Sequence, residues 1–191
     1  MALDAIFIMG PQGCGKGTQA KILAEKLGFF HWEMGGILRA MADYRLKDGE
    51  TPGAIMRRGM YLTDEQLEEI LVQKLGELDL SRGVIFEGVP RRIGQAEFLF
   101  DYLRDRGKSN FLTIYIDIPY AESIRRIMAR AKVENRADDT EEGMRQRLKN
   151  HTEATLPILD YMKQQSKFVQ LDGLPPIPEV AQKIFEAVDE D

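Results

Sequence analysis

Short apolar runs alternate with longer amphipathic stretches along the chain. AIFIM (5–9), GVIFEG (83–88), FLTIYIDI (111–118) and KFVQLD (167–172) predict strands. Between them the apolar positions take helical spacing. Ala20, Leu23, Ala24 and Leu27 share one face, and Leu67, Ile70, Leu71 and Leu75 share another in a stretch from Asp64 to about Leu78. A third, long helical stretch follows Asp139 and is expected to bend near Pro157. Strands alternating with helices imply an α/β fold, a parallel sheet covered on both faces. In such folds ligands bind beyond the carboxyl ends of the strands. Two stretches fit the layers less well. Residues 34–78 hold several helices in a row with no strand between them, and RAKVENRAD (130–138) reads as a polar loop. Both are expected to be small flaps over the carboxyl edge of the sheet.

Composition adds limits rather than content. The chain has 191 residues, 43% hydrophobic and 30% charged, which fits one ordinary globular domain. Its 26 basic and 31 acidic side chains give a net charge of −5, against a nucleic-acid partner. A single cysteine excludes an intramolecular disulfide and a multi-cysteine zinc site. MALDAIFIMG lacks the basic region and the apolar length of a signal peptide. No apolar run approaches the roughly 20 residues that span a bilayer. A cytoplasmic protein with no membrane partner is expected.

The chemistry begins at GPQGCGKGTQA (10–20), directly after the first predicted strand. Strand, glycines, Gly-Lys and helix make up a phosphate loop. Backbone N–H groups surround a phosphate, the helix N-terminus adds its dipole, and the lysine neutralises the outer phosphates. The pattern G-x-x-x-x-G-K-[ST] fits from Gly10 to Lys16 and fails at Gly17, with the hydroxyl one place later at Thr18. A magnesium ion would then be held mostly by phosphates and water. A tight turn alone would explain one glycine, not three followed by a lysine. Cys14 has two readings: a thiol of lowered pKa at a helix start, or, preferred, a small residue that fits a tight loop.

Further stretches resemble the adenylate kinases. FEGVPRRIGQAEFL (86–99) resembles their D-G-[FY]-P-R-x-x-x-Q-A motif, and RIMARAKVENRADDTEEGMRQRL (126–148) their lid, R-x-x-x-R, a short loop, R-x-D-D, then R-L. HWEMGGILRAM (31–41) is similar to the H-x-S-T-G-D-x-L-R segment that opens their monophosphate flap, and LDGLPPIPEV (171–180) to the D-G-T-x-P-V-x-E-V close of bacterial members. The resemblance runs in order over nearly the whole chain. It implies a P-loop NTPase fold with a core (1–33, 79–125, 139–191), a helical monophosphate-binding flap (34–78) and a short lid (126–138).

It also implies a reaction, phosphoryl transfer from ATP to AMP giving two ADP, with magnesium and in a monomer. Such transfer needs alignment, charge screening and exclusion of water more than covalent help. Spaced arginines supply this, because planar guanidiniums grip phosphate bidentately. The family match places Gly13, Cys14, Gly15, Gly17 and Thr18 around the ATP phosphates, with Lys16 on the outer ones. Arg39 and Arg91 fall on the AMP phosphate. Arg130, Arg136 and Arg147 converge on the transferring group. Arg126 stacks on the ATP adenine, and Pro175 touches the same base. Gln95 reads the AMP adenine, bordered by Met60, Tyr61 and Leu62, and Met34, Gly88, Val89 and Pro90 complete the acceptor site. Asp138 and Asp139 have a structural competitor, since Asp139 followed by Glu142 reads as a helix cap with its capping-box partner. His31 and His151 read as packed or capping groups.

The departures concentrate at the acceptor. The family threonine that touches AMP is Met34 and the aspartate after the glycine is Gly36. Val89 stands for an aromatic and Arg92 for a threonine. Glu87 replaces an aspartate, one methylene longer and still able to order water around magnesium. With one cysteine and only Ala131 to Asn135 between the lid arginines, the zinc-binding lid of some bacterial relatives is expected to be absent. Two alternatives remain at this level: another acceptor such as UMP or CMP, or a nucleotide-binding regulator with little turnover.

Overall fold

A computed structural model of the protein describes residues 3–134 and 141–189. Five strands form one sheet, β1 (Ala5–Met9), β2 (Phe30–Glu33), β3 (Val84–Glu87), β4 (Phe111–Asp117) and β5 (Lys167–Asp172). The order is β2-β3-β1-β4-β5 and every pairing is parallel. Such a sheet buries both faces, so its central strands are apolar throughout. All five residues of β1 are buried. Ala5, Phe7 and Met9 face one core and Ile6 and Ile8 the other. On the first side Phe7 stacks on Phe86 with ring centroids 5.2 Å apart and meets Phe100 at 5.0 Å. The second side packs Ile85, Leu112, Ile114 and Ile116 against helix α1 (Lys16–Leu27).

β2 is an addition to the four expected strands. Only Trp32 of its FHWE is buried, so the segment carries no apolar run. It is a strand because β3 pairs with it from Phe30 to Glu33. Between β2 and β3 lie three helices and no strand among the described residues: α2 (Met34–Ala40), α3 (Pro52–Arg57) and α4 (Asp64–Leu75). Helix α4 starts on a capping box in which Thr63 Oγ1 accepts from Gln66 N at 3.2 Å and Thr63 N donates to Gln66 Oε1 at 2.9 Å. Helix α5 (Ile93–Arg104) joins β3 to β4.

The next stretch corrects the sequence reading. Helix α6 runs from Tyr120 to Glu134, so residues 130–134 are helical rather than loop. The segment has no glycine or proline and is rich in alanine, arginine and glutamate, all good helix formers. Helix α7 (Glu141–Asn150) follows; Arg136, Asp138, Asp139 and the expected cap with Glu142 fall outside the described residues and side chains. The expected bend near Pro157 begins earlier, with a π turn at His151–Thr155 and a 3-10 turn at Leu156–Ile158 before α8 (Leu159–Gln165). Helix α9 (Ile177–Asp189) closes the second face.

Candidate active site

The loop after β1 owes its path to glycine. Gly10 has φ +146°, and a Cβ there would collide with the Ile116 carbonyl oxygen and stand 2.8 Å from Cys14 Sγ. Gly15 has φ +96° and is the N-cap of α1. The turn between them brings Lys16 back, its Nζ donating to the Pro11 carbonyl at 3.2 Å. Ser123 Oγ of α6 donates to the Gln12 carbonyl. Cys14 is buried, and burial pushes its thiol pKa up. The preferred reading of Cys14 as a small packed residue therefore holds, and the lowered-pKa reading fails because desolvation disfavours the thiolate.

Beyond the carboxyl ends of β1, β2 and β3 lies a cleft. Lys16, Arg39, Arg91, Arg130 and Arg147 all line it, so five cations come together there with Gln12, Glu33 and Glu87. Its apolar wall is Met34, Leu38, Met56, Met60, Tyr61, Leu62 and Leu67, and Gly88 and Gln95 complete it. Val89 and Pro90 line an adjoining pocket with His151 and Thr155.

Each cation is held from an element of its own. Arg91 Nε donates to the Gly88 carbonyl at 2.8 Å and its guanidinium stacks 4.5 Å from the Tyr61 ring centroid. Arg147 is buried at 7% exposure. With its amide oxygen turned toward the two guanidiniums, Gln12 accepts from Arg147 Nη1 at 2.8 Å and from Arg130 Nη2 at 3.1 Å. Asn150 Nδ2 donates to the Gly59 carbonyl at 3.0 Å, which ties α7 to the chain beyond α3. Gln95 is buried; its Oε1 accepts from Arg91 N at 2.9 Å and its Nε2 donates to the Leu62 carbonyl at 3.4 Å. A family model described as adenylate kinase matches residues 8–167.

The chain belongs to the adenylate kinase family. It is 35% identical over 184 residues to the adenylate kinase of Phocaeicola vulgatus, covering 96% of this chain and 97% of that protein. To the adenylate kinase of Thermus thermophilus it is 37% identical over 185 residues, covering 97% of each. The Maricaulis maris adenylate kinase is 35% identical over 185 residues.

The positions carried over from adenylate kinases divide in space. Lys16, Met34, Arg39, Met60, Tyr61, Leu62, Gly88, Arg91, Gln95, Arg130 and Arg147 share the cleft. Arg126 and Pro175 lie elsewhere. Arg126 Nε donates to Glu122 Oε1 at 2.6 Å, and Arg125 donates to both oxygens of the same carboxylate at 2.7 Å. The two guanidiniums hold the half-buried Glu122 carboxyl down to about 2. Pro175 is half-buried between β5 and α9. Gln19 of α1 donates to the Ile177 carbonyl at 3.0 Å and joins that turn to the phosphate loop's helix.

Two polar residues of the cleft were not found from sequence. Gln12 occupies a variable place within the phosphate-loop pattern. Glu33 stands at the serine position of H-x-S-T-G-D, and Met56 of α3 joins the wall without a motif of its own. Beneath the cleft, His151 Nε2 and Tyr115 Oη share a hydrogen bond at 3.1 Å with their rings nearly parallel. Burial first, then the charges of Lys16 and Arg91, lower the His151 pKa to about 4. It is a neutral packed group, as expected.

Proposed function

We infer that the chain is an adenylate kinase, passing a phosphoryl group from ATP to AMP and giving two ADP. The convergence of Lys16, Arg91, Arg130 and Arg147 on one cleft beside the phosphate loop supports this most directly. Four cations held by separate elements match a reaction whose main demand is to align two anionic nucleotides and neutralise charge spreading over the transferring group. In this reading Lys16 takes the outer phosphates of ATP, Arg39 and Arg91 grip the AMP phosphate, and Arg130 and Arg147 meet the group in transit. Arg136, outside the described residues, takes the same role in this reading by its place in the family motif. We read 34–78 as the monophosphate flap and 126–138 as the lid. The adenine of ATP lies between Arg126 and the turn at Pro175.

Gln95 suits the acceptor base. Its two backbone bonds leave one N–H and one acceptor site free, the pair that an adenine edge requires. Magnesium enters with the phosphates. Among the described residues no cluster of three His, Cys, Asp or Glu could hold a metal alone. The residues present fit a cation bound through phosphate and water: the Glu87 carboxylate lies 3.9 Å from where a Cβ at Gly17 would stand, directly beside the phosphate loop. Held there by Glu87 through water, a magnesium ion would screen the donor phosphates. We propose that the enzyme works as a cytoplasmic monomer; no described helix is long and apolar enough to cross a membrane.

A coupled assay of ADP formation from MgATP across AMP, UMP, CMP and GMP tests the reading. AMP is expected to be the preferred acceptor, with two ADP formed per AMP consumed. Preference for a pyrimidine monophosphate would overturn the acceptor assignment, and no turnover with any of them would overturn the kinase.

A further inference from the structure

The acceptor end of the cleft contains an anion. Glu33 Oε1 lies 2.6 Å from Arg39 Nη2, and both side chains line the cleft, 45% and 35% exposed. The pair lies over two glycines. A Cβ at Gly35 would stand 3.1 Å from Arg39 Nη1, and one at Gly36 would stand 3.3 Å from Glu33 Cδ and 3.4 Å from each of its oxygens. A side chain at 36 would therefore press on the carboxylate. The substitutions at 33 and 36 read as one change: the family motif has serine at 33 and aspartate at 36, and this chain has the acid at 33 and no side chain at 36. The acid has moved from inside the first turn of α2 to the end of β2. From there it reaches into the cleft and takes the guanidinium of Arg39.

We propose that Glu33 sets the affinity of this enzyme for its acceptor monophosphate, by holding Arg39 in an ion pair that the incoming phosphate must displace. This rests on the reading of Arg39 as a ligand of the acceptor phosphate. A monophosphate dianion arriving at Arg39 meets a guanidinium already satisfied on one edge and a carboxylate of like charge beside it. Both effects oppose binding of the acceptor and neither reaches the donor phosphates at Lys16. Glu33 is thus a positioning residue that acts through Arg39, and the glycine at 36 is what makes room for it.

The test measures AMP binding to the donor-free enzyme by calorimetry, together with separate KM values for AMP and ATP. Glu33→Gln keeps the shape and removes the charge. It is expected to tighten AMP binding and lower the AMP KM by about two- to fivefold, the effect of a half-exposed ion pair, with the ATP KM unmoved. In an Arg39→Ala background the same substitution is expected to have a smaller effect on AMP, because only the direct repulsion between carboxylate and phosphate is left to remove. Gly36→Asp, which puts a second carboxylate against Glu33, is expected to weaken AMP. If Arg39→Ala leaves AMP binding unchanged, the placement of Arg39 itself is wrong. If Arg39→Ala weakens AMP strongly while Glu33→Gln leaves it unchanged or weakens it, Arg39 is correctly placed and the proposal about Glu33 is overturned.

Discussion

Among the described residues Lys16 is the only lysine that lines the cleft, and its ammonium turns back over the loop to the Pro11 carbonyl. Little in the fold depends on it, whereas screening of the donor phosphates does. Lys16→Ala is expected to lower turnover by about a hundredfold or more, with the circular dichroism spectrum and Tm close to wild type; near-normal turnover would remove the phosphate-loop assignment. Gln95→Asn shortens the amide that bridges Arg91 and Leu62 and pulls it from the acceptor base. Loss of one such contact costs about 1 kcal/mol, so the AMP KM is expected to rise roughly fivefold with little change for ATP. Equal changes in both would mean that Gln95 does not face the acceptor. At this scale Lys16, Arg91, Gln95, Arg130 and Arg147 were legible because each sits at a fixed spacing inside a chemical pattern. Glu33 was hidden: its importance comes from a partner six residues away and from two glycines that leave it room. No local pattern states that.

Elements were legible where one periodicity dominated. β1 and β4 are buried nearly throughout and were plain as apolar runs, and α4 was plain from Leu67, Ile70, Leu71 and Leu75. β2 was not, because pairing with β3 rather than burial makes it a strand. The polar end of α6 reads as a loop in the sequence yet is helical, since charge is as compatible with a solvated helix as with a loop. Thr63 anchors α4 by the reciprocal bonds of its capping box, and Thr63→Ala is expected to cost about 1 kcal/mol, read as a lower denaturant midpoint at unchanged slope. The π turn at His151–Thr155 carries a pH prediction. His151 titrates near 4 in the folded protein against about 6.5 when unfolded. The unfolded chain therefore takes up a proton first as pH falls. The contribution of His151 is complete above about pH 6.5, declines between there and pH 4, and is constant below. A shift of that size corresponds to at most about 3 kcal/mol. Urea unfolding at pH 7, 6, 5 and 4 is expected to show this loss in the wild type and a flatter profile in His151→Gln, whose amide can still meet the Tyr115 hydroxyl. Parallel profiles would mean that the histidine is not buried neutral.

The whole molecule places three separate stretches, 10–20, 31–41 and 86–99, at the carboxyl ends of β1, β2 and β3, which are neighbours in the order β2-β3-β1. The alternation of strands and helices announced a parallel sheet, and with it the edge at which a ligand binds. It did not announce the strand order, which depends on how α1 and α5 cross the two faces. We propose that donor and acceptor nucleotides lie on either side of the single cluster formed by Lys16, Arg91, Arg130 and Arg147, close enough for direct transfer. A bisubstrate mimic of two adenosines joined by five phosphates tests it, through steady-state inhibition measured against ATP and AMP in turn. The account predicts one mimic bound per chain, competitive with both substrates, and binding lost in Lys16→Ala. Competition with one nucleotide alone, or two mimics bound per chain, would contradict a shared cluster.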